Sequence, residues 1–114
     1  METEERLLEI EEQFWKGDAD FYRAHVADNA LMVFPEPAGV MNKEECVVAT
    51  EQSPRWVTVR FENQRIVEAG TANLLIYKAF AEKANGDTYC CLASSAYFQS
   101  DGAWLLALHQ QTPA

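Results

Sequence analysis

Two short turn signals, Asn85-Gly86 and Asp101-Gly102, divide the second half of the chain into long strand-like stretches. Asn-Gly and Asp-Gly favour two-residue β-turns, because both turn residues must adopt positive φ angles. The segments around them are rich in β-branched and aromatic residues and alternate in polarity. The sequence therefore predicts an antiparallel meander of strands over 71–84, 88–99 and 103–111.

The first half of the chain has the residue pattern of amphipathic helices. An apolar stripe recurs at helical spacing before Gly17, and it is set against a Glu-rich face. The residues that define this stripe are Leu7, Leu8, Glu11, Phe14 and Trp15. Thr3 is a candidate cap for this helix, and Asp18 suits the N-cap of a short second helix that runs to about Val26.

A short apolar strand over 30–34 comes next and is stopped by Pro35. Asn42 begins a third helix, which fades before Ser53-Pro54. Two alternating segments, 56–60 and 63–68, precede the meander. The predicted order is helix, helix, strand, helix and then strands. It indicates one α+β domain over 1–114, with the helices gathered on one face of a bent antiparallel sheet.

Both faces of that predicted sheet are apolar, although a sheet covered by helices on one side normally presents a polar second face. Three short helices cannot cover both sides, so the outer face is expected to be buried in a homodimer. The predicted contact residues are Tyr97, Trp104, Leu106 and Leu108.

One polar row crosses the inner face of the predicted sheet. Two-residue turns would place Tyr77 opposite Ser94 and Ser94 opposite His109, with Gln111 on the same side. His109 suits a general base near neutral pH, with Tyr77 and Ser94 orienting a substrate oxygen. Equally, the three groups could satisfy one another inside the core. A one-residue bulge would exchange the faces within a strand.

Charge excludes some partners. The chain carries 9 basic and 18 acidic residues, a net −9, which argues against nucleic acid or an anionic membrane. The first 20 residues hold −6 of this charge, which is interpreted as a solvated helix face that serves solubility; the alternative is an acidic docking surface. The eight acids are Glu2, Glu4, Glu5, Glu9, Glu11, Glu12, Asp18 and Asp20.

The cellular setting is predicted from the N-terminus and the cysteines. The acidic N-terminus lacks the apolar segment of a signal peptide, and no stretch approaches a membrane span. Three cysteines, Cys46, Cys90 and Cys91, make a poor disulfide framework, so we expect structural thiols in the cytoplasm. No ligand spacing for a metal and no dinucleotide or phosphate loop is found, so no cofactor is expected.

Several segments together resemble the NTF2-like superfamily, and within it the SnoaL-like and DUF4440 group. The resemblance covers essentially the whole chain and implies a cone-shaped fold, a curved sheet around a helix-lidded cavity, and a dimer across the outer sheet face. The segments that carry it are 14–22 (FWKGDADFY), 32–35 (MVFP), 39–41 (GVM) and 101–113, which ends in HQQTP. These are fold signatures more than chemical motifs, and folds do not determine function.

Ketosteroid isomerase, one enzyme of that superfamily, provides a residue-by-residue test. Its general-base Asp falls on Phe34, its oxyanion-hole Tyr on Ile10 and its oxyanion-hole Asp on Ser94. Phenylalanine cannot take a proton and isoleucine cannot donate a hydrogen bond, so isomerisation by that mechanism is not expected.

The leading prediction is a cavity that binds a small, largely apolar organic molecule. Its predicted lining is Tyr77, Ser94, His109, Gln111, Phe34 and Trp56. A first alternative is an isomerase, cyclase or dehydratase that uses His109 or Glu36 as general base. Glu36 reads more simply as a solvated turn residue. A second alternative is an assembly domain with a vestigial cavity.

Overall fold

The computed structural model describes residues 3–114 and has three helices and six strands in that range. It confirms the α+β class. No helix among these residues combines the length and the apolar character needed to cross a bilayer. The elements are α1 (Thr3–Lys16), α2 (Ala19–His25), β1 (Val26–Val33), β2 (Val40–Asn42), α3 (Lys43–Gln52), β3 (Thr58–Ala69), β4 (Ala72–Glu82), β5 (Thr88–Ser100) and β6 (Ala103–Pro113).

The six strands form one sheet in the order β2-β1-β6-β5-β4-β3. All neighbours are antiparallel except β1 and β6, which run parallel. β1 begins earlier than predicted, β2 was not predicted, and β3 joins the two predicted segments into one strand. Asn63, with φ 57°, lies at the irregularity in β3, where the pairing with β4 shifts between Glu62 and Arg65.

Local side-chain caps set the helix starts that the sequence indicated. The Asp18 carboxylate accepts from the Phe21 N–H at 3.1 Å, as an N-cap does. Asn42 and Glu45 form a reciprocal capping box at the start of α3. Thr3, however, is already a helical residue rather than a cap, and Glu2 lies outside the described residues.

The first predicted hairpin register is wrong by one residue. Glu82 pairs with Thr88, and the Lys83 N–H donates to Asp87 O at 2.9 Å, so the loop holds three residues instead of two. Only Gly86 takes a positive φ (94°) there. The Asn85 side chain instead accepts from the Asp87 N–H at 3.0 Å. This is the three-residue loop in which a type I turn precedes a left-handed residue.

The second hairpin has the predicted turn but an unpredicted bulge. Asp101 (φ 51°) and Gly102 (φ 82°) are both left-handed, and Ser100 pairs with Ala103. Further along, Tyr97 pairs with Leu106 but Ala96 with Leu108, so β6 contains one extra residue. Together the two errors shift the register between β4 and β6 by two residues, so Tyr77 lies in the row of Gln111 instead of His109. The faces of β4 and of β6 beyond the bulge are as predicted, whereas those of β5 and of residues 103–106 are exchanged.

The helices cover the inner face of the sheet, and the core lies there. One part joins α1, α2, β1 and α3 around two fully buried side chains, Tyr97 and Leu106. A second part surrounds Trp15 and Tyr77. The predicted dimer contacts therefore need correction: Tyr97 and Leu106 point inward, Trp104 packs against the same core, and Leu108 alone is exposed on the outer face.

Candidate functional site

A cavity of about 660 Å³ lies between the helices and the inner face of the sheet. Such a volume suits a small organic molecule. Its walls combine aromatic rings with a few polar groups, and His109 and Gln111 of β6 reach it from the sheet. The aromatic lining residues are Phe14, Trp15, Tyr22, Phe34, Trp56 and Tyr89.

A buried carboxylate lies beside this cavity, where α1 meets the sheet. Glu11 of α1 is only 1% exposed, and its oxygens accept hydrogen bonds from the hydroxyls of Tyr77, Tyr97 and Ser95. The Ser95 Oγ–Oε2 distance is 2.6 Å. The Nδ1 atom of His109 is 3.4 Å from the same Oε2. A carboxylate accepts only, so three hydroxyl donors are suited to holding it ionised.

The protonation of this cluster follows from its contacts. Burial alone would raise the pKa of Glu11, but the hydrogen bond and charge of His109 and the hydroxyls of Ser95 and Tyr77 outweigh it, and the pKa is lowered. Burial and the Glu11 charge hold the pKa of Tyr77 and Tyr97 well above the ordinary value of 10.0. At neutral pH the cluster is therefore one carboxylate among neutral phenols.

His109 connects this carboxylate to the cavity. Ser95 donates to Glu11, so Ser95 Oγ is free to accept from His109 Nδ1, 2.7 Å away. On the other side of the ring, Gln111 Nε2 is 3.0 Å from His109 Nε2. Because Ser95 already donates to Glu11, Nδ1 carries an N–H toward Ser95, and in the neutral tautomer this leaves the Nε2 lone pair to accept from the Gln111 amide.

Most of the predicted site residues lie on the inner face of the sheet or in the cavity lining, and Ser94 does not. His109, Gln111, Phe34 and Trp56 all line the cavity. Tyr77 is on the inner face as predicted, but it is buried behind the lining, where it bonds to Glu11 and accepts from the Trp15 N–H at 3.0 Å.

Ser94 is the clear correction. The register change turns Ser94 to the outer face, where its Oγ donates to Gln110 Oε1 at 3.2 Å. The next residue, Ser95, occupies the position opposite His109 that Ser94 was expected to hold. The predicted serine–histidine contact thus exists, but with the neighbouring serine.

Other candidate groups do not join the cluster. Glu36 is exposed in the turn after β1 and is not among the residues that line the cavity within 3–114. Burial raises the pKa of both Cys46, which lines the cavity, and Cys91 to about 11, so both remain thiols. Within the described range, no three His, Cys, Asp or Glu side chains form a metal-binding group.

A second depression of about 540 Å³ lies against α1 and β3. Its charged residues are Arg6, Glu9, Glu12 and Arg60, and His25 also reaches it. It contains no buried titratable cluster comparable to that at Glu11, so the cavity beside His109 is the stronger candidate.

Glu11 is the functional residue that the sequence interpretation missed. It was counted among the acids of a solvated helix face, whereas it is buried at the centre of the molecule. A signal was present: Glu11 is the one acid within the apolar stripe of α1, four residues after Leu7 and four before Trp15. An acid at such a position must be paired or neutralised when the stripe is buried.

Comparisons with known proteins identify the fold. No family model matches the sequence, and no curated protein is significantly similar to it. An NTF2-like protein from Cytophaga hutchinsonii superposes with a TM-score of 0.85 at 14% identity, covering 100% of both chains. A protein from Parabacteroides distasonis, provisionally assigned as a ketosteroid isomerase, gives 0.83 at 11% identity, covering 99% of this chain and 89% of its own.

A third similar structure, from Exiguobacterium sibiricum, is provisionally assigned as a calcium/calmodulin-dependent kinase II association domain. It gives a TM-score of 0.79 at 14% identity and covers 96% of this chain and 89% of its own. These likenesses confirm the predicted NTF2-like fold. Placement in the SnoaL-like and DUF4440 group stays a prediction.

The Glu11 cluster predicts a specific stability change. Glu11→Gln should lower the free energy of unfolding at pH 7 by about 3 kcal/mol, because an amide places donors against hydroxyls that need an acceptor. The pKa of Glu11 is lower in the folded state, so its contribution is present above the ordinary value of 4.5 and is lost as the pH falls below it. The difference between the proteins should therefore shrink in acid, as measured by urea unfolding from pH 7 to 3.

Glu12→Gln is the matched control. Glu12 is the adjacent acid, its side chain is 46% exposed, and it contacts Lys16 at 3.6 Å. Its loss should change the free energy of unfolding by about 0.5 kcal/mol or less. Equal effects of the two substitutions would contradict the assignment of Glu11 as the buried charge that fastens α1.

Proposed function

We propose that the protein binds a small, largely apolar organic molecule in the cavity between its helices and its sheet. The observation that carries this is the combination of a 660 Å³ space, walls of aromatic rings, and the polar pair His109 and Gln111 at one place in the lining. Apolar pockets with a few placed polar groups are typical of ligand sites. The aromatic walls supply affinity, and the polar pair orients one oxygen of the ligand.

Binding can be measured with a bicyclic probe such as 2-naphthol, since Trp15 and Trp56 line the cavity and report on its contents. Saturable quenching of tryptophan fluorescence is expected. Phe34→Ala should weaken the affinity roughly tenfold, because a large part of an aromatic wall is lost.

Phe80→Ala provides the control for that measurement. Phe80 lies on β4 with Arg60 and Lys78 over its ring, and it is not among the residues lining the cavity. Its replacement should leave the affinity for 2-naphthol unchanged. Absence of saturable binding to the wild type, or an equal loss in both variants, would contradict the proposal.

A second function, proton transfer at His109, is favoured by one specific observation. The imidazole contacts Ser95 and Glu11 through Nδ1, and His109 lines the cavity with its Nε2 3.0 Å from the side-chain nitrogen of Gln111, another lining residue. A carboxylate placed behind a histidine fixes its tautomer and stabilises the imidazolium that forms when Nε2 takes a proton. The corresponding reaction class is isomerisation, cyclisation or dehydration with His109 as general base.

Deuterium exchange tests this second function without the natural substrate. 2-Tetralone carries an acidic C–H beside its carbonyl, and the wild type should accelerate its exchange in D₂O, followed by NMR. His109→Ala should remove about 100-fold or more of the acceleration, as expected for a general base. Affinity for the ketone should change only a few fold.

His25→Ala is the control here, because His25 is stacked on Phe21 outside the cavity and bonds to Phe21 O. It should retain the full exchange rate. If the wild-type protein exchanges no faster than buffer, or if both variants lose the rate equally, His109 is not a base for this chemistry.

We also propose a homodimer through the outer face of the sheet, although most of its contact residues differ from those that the sequence predicts. One row across five strands consists of Leu31, Leu108, Ala96, Leu74 and Val67, as the strand pairings place them side by side. Leu92 and Ile76 lie nearby on the same face and are 53% and 41% exposed. Contiguous apolar surface of this kind marks an interaction site. A second copy of the chain is a partner with the same apolar row.

Leu108→Glu should convert a dimer into a monomer in analytical ultracentrifugation at micromolar concentration, because the carboxylate would be buried between Leu31 and Ala96 with no cation opposite it. Val48→Glu is the control: Val48 is 40% exposed on α3, away from the outer face, and the variant should remain dimeric. A monomeric wild type would overturn the dimer.

A further inference from the structure

Arg55 is held rigidly beside the cavity, yet one end of its guanidinium is unused. Its Nε donates to Gly17 O at 2.9 Å, and its Nη2 donates to Phe14 O at 2.6 Å and Trp15 O at 3.0 Å. Nη2 also donates to the Tyr22 hydroxyl at 3.2 Å. Across residues 3–114, Nη1 has no hydrogen-bond partner and Arg55 forms no ion pair.

Three of the five N–H groups of this guanidinium, those of Nε and Nη2, are used by the Phe14 and Trp15 carbonyls of α1, the Gly17 carbonyl after it and the Tyr22 hydroxyl. These oxygens carry only partial negative charge, so the cation keeps most of its own. Because the fork is planar, fixing Nε and Nη2 also fixes Nη1. The cavity wall therefore includes a pre-oriented cationic donor.

A second unpartnered polar group lies in the same wall. The hydroxyl of Tyr89 is buried and has no hydrogen-bond partner within the described part of the chain. Burial and the neighbouring thiol of Cys91, which is only a weak acceptor, raise its pKa to about 12, so it remains a donor at neutral pH. Buried polar atoms are normally paired, and one left open in a cavity wall points to a ligand atom.

The residues that carry these donors lie beside an aromatic slot formed by Trp15, Trp56 and Tyr89. The rings of Trp56 and Tyr89 are stacked with centroids 5.8 Å apart, and Trp15 lies 6.2 Å from Trp56. The Lys83 ammonium is 4.9 Å from the Trp56 ring and also lines the cavity. The slot thus offers flat apolar walls with cations at its edge.

The sign of the charge here is opposite to that of the molecule. The protein carries −9, yet Arg55 and Lys83 face the cavity against one acid, Asp87. The Asp87 carboxylate is occupied within its hairpin loop, where it accepts from the Asn85 amide at 3.1 Å. Positive potential in a walled, partly desolvated cleft attracts an anion more strongly than an exposed lysine would.

We infer that the ligand of this cavity is a small aromatic or otherwise flat carboxylic acid, whose carboxylate binds Arg55 Nη1 and the Tyr89 hydroxyl. This rests on the proposed ligand-binding function and specifies its chemical class. One cationic N–H end and one hydroxyl match the two oxygens of a carboxylate, and the rings of Trp15, Trp56 and Tyr89 match its flat body.

A pair of near-isosteric probes tests the inference. 2-Naphthoate should bind about tenfold more tightly than 2-naphthamide at pH 7.5, as measured by tryptophan fluorescence and calorimetry, since the charged acceptor gains a charge-assisted bond. Tyr89→Phe, which keeps the ring, should reduce this preference severalfold, and Arg55→Gln should abolish it.

Arg55 also fastens the end of α1, so circular dichroism must show that Arg55→Gln is folded. If it is not, Tyr89→Phe and Lys83→Gln carry the test. Arg60→Gln is the control, because Arg60 lies over Phe80 and outside this cavity, and it should keep the preference. Equal affinity of the wild type for acid and amide would overturn the inference and leave the proposed function standing. If neither 2-naphthoate nor 2-naphthamide binds, the inference and the proposed function would both be overturned.

Discussion

The fold is organised around one ionised carboxylate in its interior. Glu11 receives hydroxyl donors from β4 and β5 and lies beside a histidine of β6, so one side chain of α1 contacts three neighbouring strands. Burying a charge is costly unless it is paired and hydrogen-bonded, and each of these partners offsets part of that cost. The same contacts fix where α1 crosses the sheet, and therefore the height of the cavity beneath the helices.

This arrangement links stability to chemistry. Ser95 and Glu11 contact His109 at Nδ1, and this fixes the ring with its other nitrogen, Nε2, beside Gln111. The lining includes His109 and Gln111 on β6 and, among its charged groups, Arg55, Lys83 and Asp87. For the proposed ligand, these residues would supply a hydrogen-bonding pair and a cationic end beside the aromatic walls.

The large elements could be predicted from local patterns, because caps, turns and periodicity are properties of neighbouring residues. Asp18 and Asn42 show this for the helices, and Asp101-Gly102 shows it for one hairpin. The residues on the inner face of β5 could not be predicted in this way. They depend on whether Asn85 adopts a positive φ or caps the turn with its side chain, and an Asn-Gly sequence is compatible with both turn conformations. His109 and Gln111 lie on the predicted face because the loop and the bulge each exchange the faces once, and two exchanges restore the original side. The net charge of the first 20 residues says nothing of Glu11, because a sum of charges does not distinguish the apolar face of a helix from its solvated face.

The sheet is a single layer, so alternate residues of each strand face the cavity side and the outer side. Ser95 bonds to the histidine of the cavity, while Ser94, its neighbour, lies on the outer face with Gln110. If β6 ran on without the bulge, Ala107 would pair with Ala96 and Leu108 with Ser95, which would turn His109 toward solvent and Leu108 into the cavity. Side chains on either face can therefore vary by substitution, whereas the register between β5 and β6 is constrained by both faces at once.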